Sequence, residues 1–147
     1  YCWEWPSGDS RKDPNYHEIK MPEKNFEISW NLEDGEYFAI GSNSVHEAGC
    51  IHTVQGLEFD YIGVIIGPDM CYENNHIITD YTKRAKSDYS LRGIKEIAKE
   101  QGQDVAYKIA DEIIKNTYRT LMTRGMKGCY IYCVDKNLSE YIKKSLN

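Results

Sequence analysis

Residues 61–66, Tyr-Ile-Gly-Val-Ile-Ile, form an apolar, largely β-branched run that stops at Gly67-Pro68. A strand that buries one face alternates apolar and polar residues. A run that is apolar throughout suits a strand covered on both faces, as at the centre of a parallel sheet. A second such run spans residues 128–134, Gly-Cys-Tyr-Ile-Tyr-Cys-Val. Parallel neighbours need a long crossover, and the intervening chain supplies one. Leu91, Ile94, Ile97 and Ala98 recur at helical spacing, as do Val105, Ile109, Ile113 and Leu121. Ser90 and Asp104 are candidate caps for two helices, and Gly125 a candidate stop. Residues 138–146 read as a closing amphipathic helix. Strand, helix, strand, helix predicts an α/β fold with a mostly parallel sheet and right-handed crossovers.

The flanks read less regularly. Residues 1–5 suggest a strand, and the polar stretch to Asn25, with Pro14 and Pro22, suggests loop. Phe26, Ile28 and Trp30 alternate with polar residues before Asp34-Gly35, and Tyr37-Phe38-Ala39-Ile40 would complete a hairpin. Residues 49–53 form a short strand candidate. Asn74-Asn75 lies between Met70-Cys71-Tyr72 and His76-Ile77-Ile78, the pattern of a second hairpin.

Composition narrows the function classes. No apolar run approaches the roughly 20 residues of a membrane span, and no signal-peptide pattern opens the chain. The net charge of −5 argues against a broad basic face gripping a duplex, so any nucleic-acid contact must be local or shared. Five cysteines, an odd number without CxxC spacing, point to packed thiols in a reducing cytoplasm and to no metal site. The aromatic opening, Tyr1-Cys2-Trp3-Glu4-Trp5, lacks an initiator Met. The expectation is a single domain, 1–147, excised from a longer protein.

Two junctions carry chemistry. In Gly49-Cys50-Ile51-His52-Thr53-Val54-Gln55-Gly56-Leu57-Glu58-Phe59-Asp60, a strand turning into a helix at Gly56 would present backbone N–H groups at the positive end of a helix dipole, a place for phosphate. Gly56 permits close approach. Gln55 can donate and accept, and Glu58 can accept from ribose hydroxyls. His52 and Thr53, at the C-terminal end of their strand, can reach a phosphate in the crevice where α/β sheets bind ligands. Spacing alone equally fits a ligand-free turn. A nuclease reading that pairs Glu58 with Asp60 on a metal lacks a nearby lysine, and residues two apart on a helix do not share a face. In Tyr118-Arg119-Thr120-Leu121-Met122-Thr123-Arg124-Gly125, Arg124 joins a long helix to a buried strand. A guanidinium there can reach a phosphate across an adjoining surface, with Thr123 adding a hydroxyl. It can equally neutralise the last helix carbonyls.

In this order the two junctions resemble motifs V and VI of superfamily 1 helicases. The first resembles the His-x-x-Gln-Gly-x-Glu pattern ahead of a buried strand. The resemblance implies His52 and Thr53 near the nucleic-acid backbone, and Gln55, Gly56 and Glu58 near the nucleotide. The second resembles the Thr-Arg pair whose arginine serves as a finger to the γ-phosphate, implying Arg124 as that catalytic residue and Thr123 beside it. Gly125 departs from the more usual Ala, and Arg119 is less usual in the superfamily. With the opening Tyr-Cys-Trp-Glu-Trp and the run from Asn116 to Cys129, the chain is similar to the Schlafen group 3-like DNA/RNA helicase domain, a family of bacterial proteins.

The resemblance implies a three-layer RecA-like domain with hairpin insertions, the second of two. The chain contains no Gly-x-x-x-x-Gly-Lys-Ser/Thr loop and no strand ending in paired magnesium-binding acids. In superfamily 1 these belong to the N-terminal RecA-like domain of the same polypeptide. ATP and Mg2+ are then cofactors of the full-length protein, DNA or RNA is its partner, and the isolated chain is expected not to hydrolyse ATP. A different class remains open: a non-catalytic RecA-like binding module, or an NTPase switch that never unwinds. Lys83, Arg84 and Lys86 with Tyr81 and Tyr89 form a small basic and aromatic patch of the kind that holds single strands, or a solvated loop. Trp3, Trp5 and Trp30 read as core or interface aromatics.

Overall fold

The computed structural model describes residues 1–4, 13, 15–32, 37–42 and 44–146. It divides into two compact units: Tyr1 with Trp3–Leu57, and Cys2 with Glu58–Asn147. Both belong to a mixed α/β chain.

The first unit contains β1 (Ile19–Met21), β2 (Phe26–Trp30) and β3 (Glu47–Ala48). β1 and β2 pair antiparallel, Ile19 opposite Ile28 and Met21 opposite Phe26. A single turn of 3-10 helix, Pro22–Lys24, joins them, and Asn25 takes the left-handed conformation that closes it. Asn tolerates that conformation because its short polar side chain can bond locally. β3 pairs parallel to β2. Ile19, Met21, Trp30, Leu32, Cys50 and Val54 are buried.

Several expectations for this unit are corrected. Residues 2–4 form no strand, and Trp5 lies outside the described residues. β1 arises within the stretch read as loop, where Ile19 and Met21 flank Lys20 at the strand period of two. The second hairpin arm, residues 37–40, is a run of turns with Ala39 at φ 70°, and Asp34-Gly35 lies outside the described residues. β2 finds its partners in β1 and β3 instead.

The second unit contains β4 (Phe59–Ile66), β5 (Met70–Glu73), β6 (His76–Thr79), α1 (Ile94–Gln101), α2 (Gln103–Met122), β7 (Gly125–Cys133) and α3 (Lys136–Ser145). β4 and β7 pair parallel, in continuous register from Tyr61 opposite Gly128 to Ile66 opposite Cys133. Val64, Ile66 and Cys133 of this pair pack with Met70, Ile114, Tyr118 and Leu138 in the main core. The Asn74-Asn75 hairpin is present, both asparagines at positive φ, as the turn that matches strand twist requires. Tyr72 of β5 stacks on Tyr141 of α3 at 4.2 Å between ring centroids. The Asp135 carboxylate caps α3 by accepting from the Leu138 N–H and also accepts from the Tyr72 N–H. α1 packs against α2 through Ile94, Ala106 and Ala110; the alanines let the two backbones approach.

Two expectations shift here. Among the described residues the parallel sheet holds two strands and the other two sheets are small, so a three-layer, mostly parallel arrangement is not seen in full. β4 is covered on both faces only toward its end: Tyr61 is 58% exposed, as is the neighbouring Tyr130 at 71%. The caps also differ. Ser90 lies inside a 3-10 turn, Tyr89–Leu91, which Asp88 caps by accepting from the Ser90 N–H. α1 and α2 instead start after Gly93 and Gly102, whose φ values of 90° and 97° L side chains seldom adopt. Asp104 lies in the first turn of α2, where its charge favours the dipole.

Candidate nucleotide and nucleic-acid edge

The first motif is cut by the division of the chain. His52, Thr53, Gln55 and Gly56 belong to the first unit, Glu58 to the second.

In the first unit residues 51–56 are successive turns, not a strand leading into a helix. Local bonds decide this. The Thr53 hydroxyl accepts from the Cys50 N–H at 2.7 Å and donates to the Cys50 carbonyl at 2.9 Å. The Val54 N–H donates to the same carbonyl at 3.2 Å, and Val54 is buried. Gly49 makes the bend possible: a Cβ there would come within 2.6 Å of the Thr53 hydroxyl and 2.7 Å of the Phe38 ring. Gly56 ends the turns at φ 79°, and no helix succeeds it. The expected dipole site therefore does not form. The His52 imidazole and the Gln55 amide are exposed, with no side-chain partner among the described residues. Thr53 is engaged: a phosphate contact by its proton would open the turn.

In the second unit the end of the first motif meets the second. The Phe59 N–H donates to the Arg124 carbonyl at 2.9 Å, and Phe59 lies opposite Gly125 at the start of the β4–β7 pair. Glu58 and Arg124 thus flank adjacent strands at their N-terminal ends. The crevice expected for His52 and Thr53 at the C-terminal end of a strand over residues 49–53 is not seen, because no strand forms there.

Arg124 is held from both sides. α2 closes with Thr123 as its last cap, whose N–H donates to Arg119 and Leu121 carbonyls, and β7 begins at once with Gly125. The Arg124 Nε donates to the Thr120 carbonyl at 3.3 Å, the helix-neutralising contact foreseen. Its two Nη atoms have no partner among the described residues, and the side chain is half-buried. The Thr123 hydroxyl donates to Thr120 at 3.1 Å, so its oxygen is left only as an acceptor. Gly125 is not interchangeable with Ala: an added Cβ would overlap the Gly128 carbonyl oxygen and lie 3.0 Å from Ile62. An extra β7 residue between Gly125 and Gly128 relative to β4 produces this crowding. Lys127 and Asp60 bridge the same strand ends in an exposed ion pair at 2.7 Å.

A buried polar network anchors α2 one and a half turns before Arg124. The Tyr118 hydroxyl accepts from the Gly67 N–H at 2.9 Å and donates to Asp69. Arg84 donates to Asp69 at 2.8 Å and pairs with Asp88. Burial disfavours the Arg84 charge, but the Asp88 and Asp69 carboxylates outweigh it and hold its pKa above the ordinary value. Burial first, then Cys2 and Asp69, raises the Tyr118 phenol well above its usual range. Burial and the Asp69 carboxylate push the Cys2 thiol up to about 12. Sequence reasoning missed this network and placed Arg84 in a surface patch. Residues 84–88 are not helical, so the four-residue spacing of Arg84 and Asp88 gave no local signal of the pair. Tyr81 is also engaged, accepting from Gln103 Nε2 at 2.9 Å. All five cysteines are free thiols. Among the described residues no helix is long and apolar enough to cross a membrane.

A family model described as Schlafen group 3, DNA/RNA helicase domain, matches residues 1–135. A Saccharomyces cerevisiae protein, "Uncharacterized protein YPL245W", is 29% identical over 119 residues. That alignment covers 79% of this chain and 25% of the yeast protein, so the chain spans about a quarter of that relative. The likeness thus reaches beyond bacteria. No solved structure matches.

Proposed function

From the premise that this chain belongs to the Schlafen group 3 DNA/RNA helicase domain family, we propose that it is the second RecA-like domain of an ATP-dependent helicase or translocase. Its N-terminal RecA-like partner in the same polypeptide would carry the phosphate-binding loop and the magnesium ligands. The observation that carries the reading is the Phe59-to-Arg124 backbone bond, which fastens the end of one helicase-like motif to the arginine of the other.

Arg124 fits a γ-phosphate: its Nη donors are unengaged among the described residues and its backbone is fixed by helix, cap and strand. Bound ATP with Mg2+ supplies the phosphoanhydride that is cleaved. Arg124 stabilises charge developing on the departing phosphoryl oxygens, an effect worth about 10³–10⁵ in rate. Glu58, exposed beside that junction, accepts from nucleotide hydroxyls. Gln55 and Gly56 contribute an amide and a close-approach backbone to the nucleotide. His52 contacts the nucleic-acid backbone, with Thr53 acting chiefly by shaping the turn beneath it. Thr123 orients Arg124 more than it donates.

The test is single-strand-stimulated ATPase and strand displacement by the full-length protein. Arg124→Ala should lower ATP turnover about 10³-fold while leaving oligonucleotide affinity within about twofold. Loss of affinity together with turnover would refute the finger. Robust ATPase without strand displacement, on DNA and RNA duplexes of either overhang, would make the protein a switch.

A further inference from the structure

Outside both motifs, the second unit carries a hollow of about 530 Å³ between the 3-10 turn at Tyr89–Leu91 and the start of α1. Lys86, Arg92 and Lys95 line it, with Asp88 and Glu96. The Asp88 carboxylate is already paired with buried Arg84. Three cations against two carboxylates leave this lining one positive charge in excess, in a chain whose net charge is −5. Local charge of this sign on an acidic background is not a consequence of composition.

Two further features make the hollow more than a charged surface. Gly93 precedes α1 with no side chain capping the helix, and a Cβ at Gly93 would meet nothing within 4 Å. The first-turn amides of α1 have no capping side chain, and Gly93 and Lys95, at that helix start, line the hollow. Tyr89, on the rim, is 75% exposed, although a tyrosine in a hydrogen-bonded turn could have packed inward. Cations and amides suit phosphate, and an exposed ring suits a base. A positively charged channel with an aromatic platform is how single strands are held without sequence preference.

We propose that this hollow is a single-stranded nucleic-acid subsite, in which Arg92 and Lys95 take a backbone phosphate at the start of α1 and Tyr89 stacks against the adjoining base. The proposal rests on the helicase-family reading above and adds a contact surface that neither motif supplies. It is a site for sugar-phosphate backbone and base together, not for a free anion.

The test measures binding of fluorescent single-stranded DNA and RNA 20-mers to the full-length protein across a salt series. Arg92→Ala with Lys95→Ala should weaken binding about tenfold or more and make the log–log salt slope shallower by about 0.7, from the one phosphate no longer neutralised. The charge-conserving pair Arg92→Lys with Lys95→Arg should retain both. Tyr89→Ala should weaken binding about five- to hundredfold with an unchanged slope, and Tyr89→Phe should restore it. Variant affinities and slopes equal to the parent's, with the parent binding tightly, would overturn this subsite and leave the helicase reading standing. A parent protein that binds neither oligonucleotide would overturn both. A melting shift with inorganic phosphate that the double variant abolishes, alongside unaltered oligonucleotide binding, would make the hollow a small-anion pocket and overturn the proposal.

Discussion

The two parts of the first motif are held by different means. His52–Gly56 rides on a turn fixed by one threonine hydroxyl, a few backbone bonds and a single buried valine. Glu58, with Arg124 of the second motif, rides on the end of a parallel strand pair backed by a 20-residue helix and its core. The first arrangement opens by breaking local bonds; the second opens only by disturbing the packed unit. A residue presented by the turn can adapt to a flexible polymer, whereas an arginine aimed at a transition state needs the fixed backbone that α2 and β7 provide. Of the roles implied by family likeness, that of Arg124 falls on the rigid support, whereas those of His52, Thr53, Gln55 and Gly56 all fall on the turn.

The sharpest way to break this contrast is to unsettle the support for Arg124 from within. Arg84→Met would leave Asp69 and Asp88 buried without their cation and should cost about 3–5 kcal/mol in urea unfolding. If the cost is under about 1 kcal/mol, the network is not what fixes α2. Next in size is Gly125→Ala. The added methyl meets the Gly128 carbonyl, so the bulge must shift, at about 1–3 kcal/mol. ATP turnover should fall further than that loss of stability explains, and unchanged turnover would mean that the junction tolerates movement. A smaller effect is expected in the turn. Thr53→Val removes two local hydrogen bonds at about 1–2 kcal/mol and Thr53→Ser should keep them; the ATPase of nucleic-acid-saturated Thr53→Val should fall far less than that of Arg124→Ala, and an equal fall would erase the contrast.

The last effect is confined to alkaline solution. The folded Cys2 pKa is raised, so the neutral thiol is the form that the fold favours. Its contribution is fully present below the ordinary thiol pKa of 9.0 and is lost as pH rises toward about 12. Chemical denaturation from pH 8 to 11 should show a shallower decline for Cys2→Ala than for the parent, with Tyr118 responsible for part of what remains. Identical slopes would place Cys2 in solvent.

The second unit was readable because its strands are long and its periodicities agree with its packing. The run at residues 61–66 and the run at 128–134 do pair in parallel, and Asn74-Asn75 does turn a hairpin, since a two-residue turn is encoded locally. The first unit was not, because short strands take their partners from context. Ile19 and Met21 lie in a polar stretch, and residues 37–40 look like a strand yet curl. At the site, Gly56 was read correctly as a turn residue and wrongly as the start of a helix. A positive φ is a local property, but the conformation of the residues after Gly56 depended on whether β4 could begin three positions later.

From sequence alone came the family, the order of the two motifs and the place of Arg124 between a helix and a strand, since each is a pattern of residue types along the chain. Tertiary structure alone decided that Phe59 bonds to Arg124, that Arg84 turns inward to two carboxylates, and that Tyr89, Arg92 and Lys95 share a hollow. Hydrogen bonds and ion pairs between residues many positions apart depend on which surfaces the packed core brings together, and no local propensity records that.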